Sequence, residues 1–226
     1  MISLLVNQIL QTEKWTPPEL FETKNRIYTF LNPVSYLIAL ENKSLFEQFD
    51  GIFADGSLLV SAIRLVYGKR VTRRSFDMTS LAPELLNYLM ESRKTLYIVA
   101  SGQEQVEYAV RIFQEQYPEL CIAGFRNGYF SSDAEMDMEA SHIVELNPDF
   151  LIVGMGALMQ EKFLLKVKRM GYQGIGFTCG GFIHQTAKNR MHYYPKWIDK
   201  MNLRFVYRMY KDCLLYTSPS PRDGLL

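Results

Sequence analysis

Short apolar runs alternate along the chain with longer stretches in which apolar residues recur every three or four positions. Ile27–Leu31, Gly51–Ala54, Leu96–Ala100, Cys121–Phe125, Phe150–Gly154 and Ile175–Thr178 have the length and bounded character of buried strands. Between them the spacing predicts helices over Pro33–Leu40, Leu58–Tyr67, Thr79–Glu91, Glu104–Gln116, Ala134–Leu146 and Gln160–Met170, with a last one over Asn202–Lys211. Pro33 suits a first helical turn and Gly68 a helix end. Leu81, Leu85, Leu86 and Leu89 form one stripe of their helix. Strands that alternate with helices of this length predict an α/β fold, Rossmann-like, with a mostly parallel sheet and helices on both faces.

Residues 1–211 read as a single domain. The tail, 212–226, has no helical period and carries Pro219 and Pro221 close to its end, so it is expected to be non-native and is set aside from fold reasoning. The first residues lack a basic region and are broken by Asn7 and Gln8, unlike a signal peptide. No run approaches the roughly 20 apolar residues that cross a bilayer.

Composition adds two constraints. With 48% hydrophobic and 22% charged residues over 226 positions, the chain has the balance of an ordinary globular protein rather than a disordered one. Cys121, Cys179 and Cys213 are too few and too scattered for a disulfide framework or a zinc site, which fits a reducing, intracellular compartment. Net charge is only +1, yet between Lys188 and Lys211 seven basic side chains face the single acid Asp199. This basic segment, 188–211, suggests a local anionic partner rather than general nucleic-acid binding; a solvated helix face would have the same composition.

Candidate chemistry sits where the strands end, because open parallel sheets bind ligands beyond their carboxyl edges. Asn32 follows the first strand and opens a helix, as an N-cap or as a polar ligand contact. Asp55-Gly56 follows the second strand; the aspartate can cap a helix or stand exposed in a cleft as a general base, with Gly56 allowing close approach. Arg70, Arg73 and Arg74 precede Asp77 and Thr79, either of which can cap the next helix. The arginines suit a diphosphate, or form a solvated loop. Ser101-Gly102 opens another helix without the complete glycine pattern of a dinucleotide site. Gly154-Met155-Gly156 leads into Gln160 and Glu161, which place an amide and a carboxylate at a helix start; a tight turn with an acidic first helical turn would look alike. Gly180-Gly181 follows the last strand. His142 reads as structural, whereas His184 and His192 fall in the loop after Gly181 and either could touch substrate. No spacing indicates a metal or another cofactor.

In this order the segments resemble the WecG/TagA/CpsF family of bacterial glycosyltransferases, over roughly residues 25–211. The resemblance rests on Asn32, Ala54-Asp55-Gly56, Asp77 after a basic loop, Asn127-Gly128-Tyr129-Phe130, Gly154-Met155-Gly156 with Gln160-Glu161-Lys162, and Gly180-Gly181. Pro195-Lys196-Trp197 and Leu203–Arg208 complete it. It implies an inverting, metal-independent transferase that moves a sugar, typically of the N-acetylmannosamine type, from a UDP-sugar to a polyprenyl-diphosphate-linked glycolipid acceptor. The products would be cell-surface polysaccharides such as teichoic acid, capsule or exopolysaccharide. The catalytic base maps onto Asp55, neighbouring polar contacts onto Asn32 and Gln160, and the diphosphate-binding arginine onto Arg73 or Arg74. Departures are Phe30 where some members have threonine, Leu158-Met159 for the usual Pro-Lys, and His184 in place of an aspartate, all around the expected cleft. The acceptor would be membrane-held, so the enzyme is expected to sit in the cytoplasm, peripheral at the inner face of the cell membrane. Arg204, Arg208 and Lys211, on one helical face, would meet anionic lipid there. A homo-oligomer is compatible with this reading. Two other readings compete: a non-catalytic nucleotide-sugar-binding module, and a Rossmann-type oxidoreductase, which binding of NAD(H) would reveal.

Overall fold

The computed structural model describes residues 4–189. Helices α1 (Leu4–Thr12) and α2 (Pro17–Glu22) precede β1 (Arg26–Leu31), α3 (Pro33–Glu41), α4 (Lys43–Phe46), β2 (Gly51–Ala54), α5 (Ser57–Tyr67) and α6 (Leu81–Ser92). Strand and helix then alternate strictly: β3 (Thr95–Ala100), α7 (Gln103–Gln116), β4 (Cys121–Arg126), α8 (Asp133–Leu146), β5 (Phe150–Gly154), α9 (Met159–Arg169), β6 (Ile175–Thr178) and α10 (Phe182–Asn189). The strands, and the helices predicted between them, fall within a residue or two of their predicted ends; α1, α2 and the single-turn α4 are additional to the predicted elements. The predicted loop around His184 is instead α10, in which Phe182, Ile183 and Thr186 are buried while His184 and Gln185 are half-buried and line the cleft described below. His192, the helix expected over Asn202–Lys211 with Arg204, Arg208 and Lys211, and the 212–226 tail lie outside the described residues.

The six strands form one sheet in the order β2-β1-β6-β5-β3-β4, and every neighbouring pair is parallel. Side chains of a strand point alternately to opposite faces, so each buried strand feeds two cores. Tyr28, Phe30, Phe53, Ile98, Ile152 and Phe177 pack under α2, α6, α7 and α10. Ile27, Leu31, Ile52, Val99, Leu151 and Val153 pack under α1, α3, α4, α5, α8 and α9. β5 is buried along its whole length, as expected of a central strand covered on both faces, and each such apolar side chain contributes about 1.5–3 kcal/mol. At one margin of the sheet the Thr12 hydroxyl accepts the Ile52 N–H at 3.1 Å, so α1 caps part of β2.

Topology places the site. From β3 the chain leaves through α7 toward β4, whereas from β5 it leaves through α9 toward β6 on the other side. Connections that diverge from adjacent strands open a crevice at their carboxyl ends, where an open α/β sheet takes its ligands.

Candidate active site

A cleft of about 610 Å³ lies over the carboxyl ends of the strands, and each strand sends residues into it. Asn32 comes from β1, Asp55 from β2, Ser101 and Gly102 from β3, Gly128 and Tyr129 from β4, Gly154, Met155 and Gly156 from β5, and Thr178, Gly180 and Gly181 from β6. Gln160 and Asp77 add an amide and a carboxylate to the lining, and His184 reaches it from α10. Most of the residues singled out in the sequence, far apart along the chain, are thus brought to one place by the parallel sheet.

Asp55 follows β2, and its backbone N–H donates to the Leu31 carbonyl at 2.8 Å, continuing the sheet's hydrogen bonding one residue past the strand. Its carboxylate stands 3.8 Å from the Arg73 guanidinium. Gly56, next in sequence, adopts φ +94°, a conformation strained for any residue with a side chain, and that turn lets the chain enter α5 directly behind the carboxylate.

Arg73 is the hub of a polar knot. It donates to Asp77 at 2.9 Å and to the Ser75 hydroxyl at 2.6 Å. Asp77 also accepts from the Ser75 hydroxyl at 2.8 Å, from the Thr79 N–H at 2.8 Å and from the Thr79 hydroxyl. Burial pushes the Asp77 carboxyl up, but the Thr79 hydroxyl, the Arg73 guanidinium, the Ser75 hydroxyl and the Thr79 N–H together outweigh it and hold the group below the ordinary aspartate range. Asp77 does not cap α6 in the ordinary way: Ser80 stands at the N-cap, and Asp77 organises the turn before it. Phe76 anchors this loop edge-on against Phe30 and Phe182, at centroid distances of 5.8 and 5.5 Å.

The arginines are the point at which the structure departs most from expectation. Neither Arg73 nor Arg74 is among the residues lining the cleft, and no lysine or arginine is among the described lining residues. Arg74 turns away: it donates to the Trp15 carbonyl at 2.9 Å and lies 5.2 Å above the Phe53 ring. The two side chains leave the chain toward different partners, and only one of the pair reaches the Asp55 side. That one is Arg73, and its charge is already matched by two carboxylates.

Asn32 does what its position suggests. Its Oδ1 accepts from the N–H groups of Val34 and Ser35 at 2.9 and 3.0 Å, capping α3. The cap occupies the oxygen and leaves Nδ2 as the group that can donate into the cleft. Cap and ligand contact are therefore compatible roles for one side chain.

Gln160 and Glu161 divide their work. Gln160 lines the cleft, and its Oε1 accepts the Gly180 N–H at 3.0 Å, tying α9 to the turn after β6. Glu161 is buried behind it, not in the cleft. Its oxygens accept from the Gln160 amide at 2.9 Å, the Thr29 hydroxyl at 2.9 Å and the Leu158 N–H at 2.7 Å. The Thr178 hydroxyl donates in turn to that of Thr29 at 2.8 Å. Burial raises the Glu161 carboxyl above the usual glutamate range by more than these hydrogen bonds lower it. Leu158 reaches this turn only by adopting φ +72°, and Ser101, at the end of β3, has φ +54°. Such strain in side-chain-bearing residues concentrates at ligand sites.

Close packing explains Gly154. A Cβ there would come within 2.7 Å of both the Cys179 sulfur and the Gly180 carbonyl oxygen. The N-termini of α5 and α7, at Gly56 and Gly102, have no side-chain cap. Their first N–H groups and helix dipoles are thereby available to negative charge at this end of the sheet.

The fold is that of a Rossmann-like α/β protein with a cleft at the strand ends, where a carboxylate stands at the same end of the sheet as uncapped helix N-termini. The chain belongs to the Glycosyl transferase WecG/TagA/CpsF family, whose profile matches residues 11–214, and it is a glycosyltransferase of the hexosyl-transferring kind. It is similar to the UDP-Gal:alpha-D-GlcNAc-diphosphoundecaprenol beta-1,4-galactosyltransferase of Shigella boydii, 32% identical over 90% of this chain and 81% of that protein. It also resembles the N-acetylglucosaminyldiphosphoundecaprenol N-acetyl-beta-D-mannosaminyltransferases of Bacillus subtilis strain 168 and Staphylococcus aureus strain MW2. The identities are 24% over 81% of this chain and 70% of the relative, and 25% over 84% and 74%.

Sequence reasoning passed over Ser35, Ser75, Gln105 and Gln185, which line the cleft, and the buried pair Thr29 and Thr178. A hydroxyl inside an otherwise apolar strand was the available signal for the pair. Phe30 faces the cleft while Thr29 points through the opposite face to Glu161.

Proposed function

We propose that the protein transfers a hexose from a UDP-sugar, with inversion at the anomeric carbon, to a hydroxyl of an N-acetylglucosamine carried on polyprenyl diphosphate. The observation that carries this reading is the Asp55 carboxylate in the strand-end cleft, held near Arg73 and sharing the cavity with Asn32 and Gln160. The names of the relatives supply the acceptor class. Galactose is the donor sugar we favour, because the relative named for it shares 32% identity, against 24% and 25% for two named for N-acetylmannosamine.

In this mechanism the acceptor oxygen attacks the anomeric carbon as Asp55 takes its proton. The bond from that carbon to the UDP oxygen breaks, and its electron pair leaves with the diphosphate. Negative charge grows there, and the N–H groups at the starts of α5 and α7 are the donors placed to meet it. Arg73 keeps the Asp55 carboxylate in position rather than clamping phosphate. Asn32 Nδ2 and the Gln160 amide orient the sugars. Among the described residues no helix is long and apolar enough to cross a membrane. We infer a peripheral location at the inner face of the cell membrane, with the basic 188–211 segment contributing to attachment.

Asp55→Asn tests the assignment. Transfer from UDP-galactose to a short-chain prenyl-diphosphate N-acetylglucosamine should fall by about 10²–10⁴-fold while calorimetric binding of UDP persists. Unchanged turnover would remove Asp55 from the chemistry. Running UDP-N-acetylmannosamine beside UDP-galactose on the unaltered enzyme decides the donor.

A further inference from the structure

We propose that α3 and α5 form an apolar, cation-rimmed face that seats the protein on an anionic phospholipid surface next to the cleft. This deepens the reading above, since it rests on an acceptor held in a membrane.

Helix α5 is apolar on two sides. Leu59 and Ile63 are buried against the sheet. Leu58, Ala62, Leu65 and Val66, spaced i, i+4, i+7 and i+8, form a second stripe that faces outward. Leu58, Leu65 and Val66 are 47%, 87% and 69% exposed, and on α3 Val34 and Leu37 are 52% and 63% exposed. Scattered exposed leucines are ordinary. Here five of the twelve large exposed hydrophobics among the described residues fall on two helices that follow neighbouring strands and pack on the same side of the sheet. An apolar surface of that kind marks an interaction site.

The charge pattern selects the partner. Between Asp55 and Asp77 the sequence has no acidic residue, and the single charge on α3, the exposed Glu41, stands at the helix end away from the cleft. Arg64, Lys69 and Arg70 are all exposed, at the end of α5 and just beyond it. On α5, an apolar stripe followed by cations and free of carboxylates has the composition of a surface that lies in a lipid interface, its apolar side chains among the acyl chains and its cations at the headgroups. A protein partner would ordinarily be met with charges of both signs. Position supplies the remaining argument: Asn32 and Asp55, the residues from which these helices start, line the cleft. A bilayer against this face would present a lipid-linked sugar at the rim where the proposed base stands.

The test measures partitioning of the full chain onto sucrose-loaded vesicles of phosphatidylglycerol and phosphatidylcholine, with pure phosphatidylcholine as reference. The unaltered protein should prefer the anionic vesicles, and Leu65→Glu/Val66→Glu should lower its partitioning on them by about tenfold. Leu65→Ser/Val66→Ser, which adds no charge, should fall in the same direction by less. Both variants should match the parent on a water-soluble short-chain acceptor and lag on a long-chain acceptor embedded in vesicles. Unchanged partitioning overturns the proposal. So does unchanged partitioning with a shift in oligomer mass, which would make the face a contact between copies, or with a lowered Tm, which would mean the chain beyond residue 189 covers it. If the parent transfers no sugar to the short-chain acceptor, the functional reading fails, while the vesicle measurement still judges this surface separately.

Discussion

Replacing Asp77 by asparagine probes the knot that holds Arg73 beside the proposed base. The amide oxygen can keep the two donations from Thr79, but the NH2 group then replaces the oxygen that accepts from Arg73 at 2.9 Å and from Ser75 at 2.8 Å. Ser75 can rotate its hydroxyl; Arg73 has only donors and is left facing another donor. Losing a hydrogen bond between charged groups costs about 1.5–3 kcal/mol, and breaking a buried pair about 3–5 kcal/mol. Arg73 retains partial solvent access and a second carboxylate in Asp55, so about 2–4 kcal/mol is expected. For a chain of this size that is a fall in Tm of roughly 5–15 °C at neutral pH. The pH dependence carries a definite sign. Asp77 is held below its ordinary value, so its stabilisation is fully present above about pH 3.9 and is lost as pH falls through the lowered value. Circular-dichroism melts should therefore show a constant margin of parent over variant from neutral pH to about pH 4, narrowing below it. The kcat/KM should fall as well, because the released guanidinium can close on Asp55. A variant whose Tm stays within about 2 °C of the parent's at pH 7 would refute the view that this cluster is a mutually satisfied ion-pair network.

Two further outcomes follow from the site, beside the tests of Asp55 and of the α5 face. Glu161→Gln mimics the protonated carboxyl; since burial raises that group, the parent loses stability as pH climbs above about 4.3 through the raised value, and the variant does not. The variant's Tm should therefore gain on the parent's as pH rises from about 4.3 through the raised value, and a gap that moves the other way would contradict the burial argument. Gly154→Ala should destabilise by about 1–3 kcal/mol in urea unfolding, because its methyl group would meet the Gly180 backbone as well as the Cys179 sulfur; an unchanged midpoint would show that the turn has slack.

Strand order aside, much of this architecture could be read from the chain, for a physical reason: fully buried parallel strands such as Phe150–Gly154 leave continuous apolar runs that little else imitates. The strand-end polar residues were legible through the same logic, since parallel strands deliver their ends to one side. Other features left weaker traces. Helix α2 announces itself only through Thr16, Pro17 and Glu19, a capping box with an N-terminal proline, over too few residues to show a period. Helix α10 follows Gly180-Gly181 and is short, with polar residues among its apolar ones, so a loop and a helix have similar composition there. The choice between Arg73 and Arg74 depends on which of the two side chains is directed toward Asp55, and sequence holds no record of that until Trp15 and Phe53 are placed in space. Glu161 reads as an ordinary helix-start acid; its enclosure depends on Thr29, more than a hundred residues earlier.

The strands' hydrophobic faces and their polar ends are separate parts of the molecule. The two cores lie above and below the sheet, whereas the cavity is built from the short turns that leave it. Evolution can therefore rewrite those turns, exchanging one hexose for another, without disturbing the layers that make the chain fold. Relatives named for different sugars within one lineage are what such an arrangement permits.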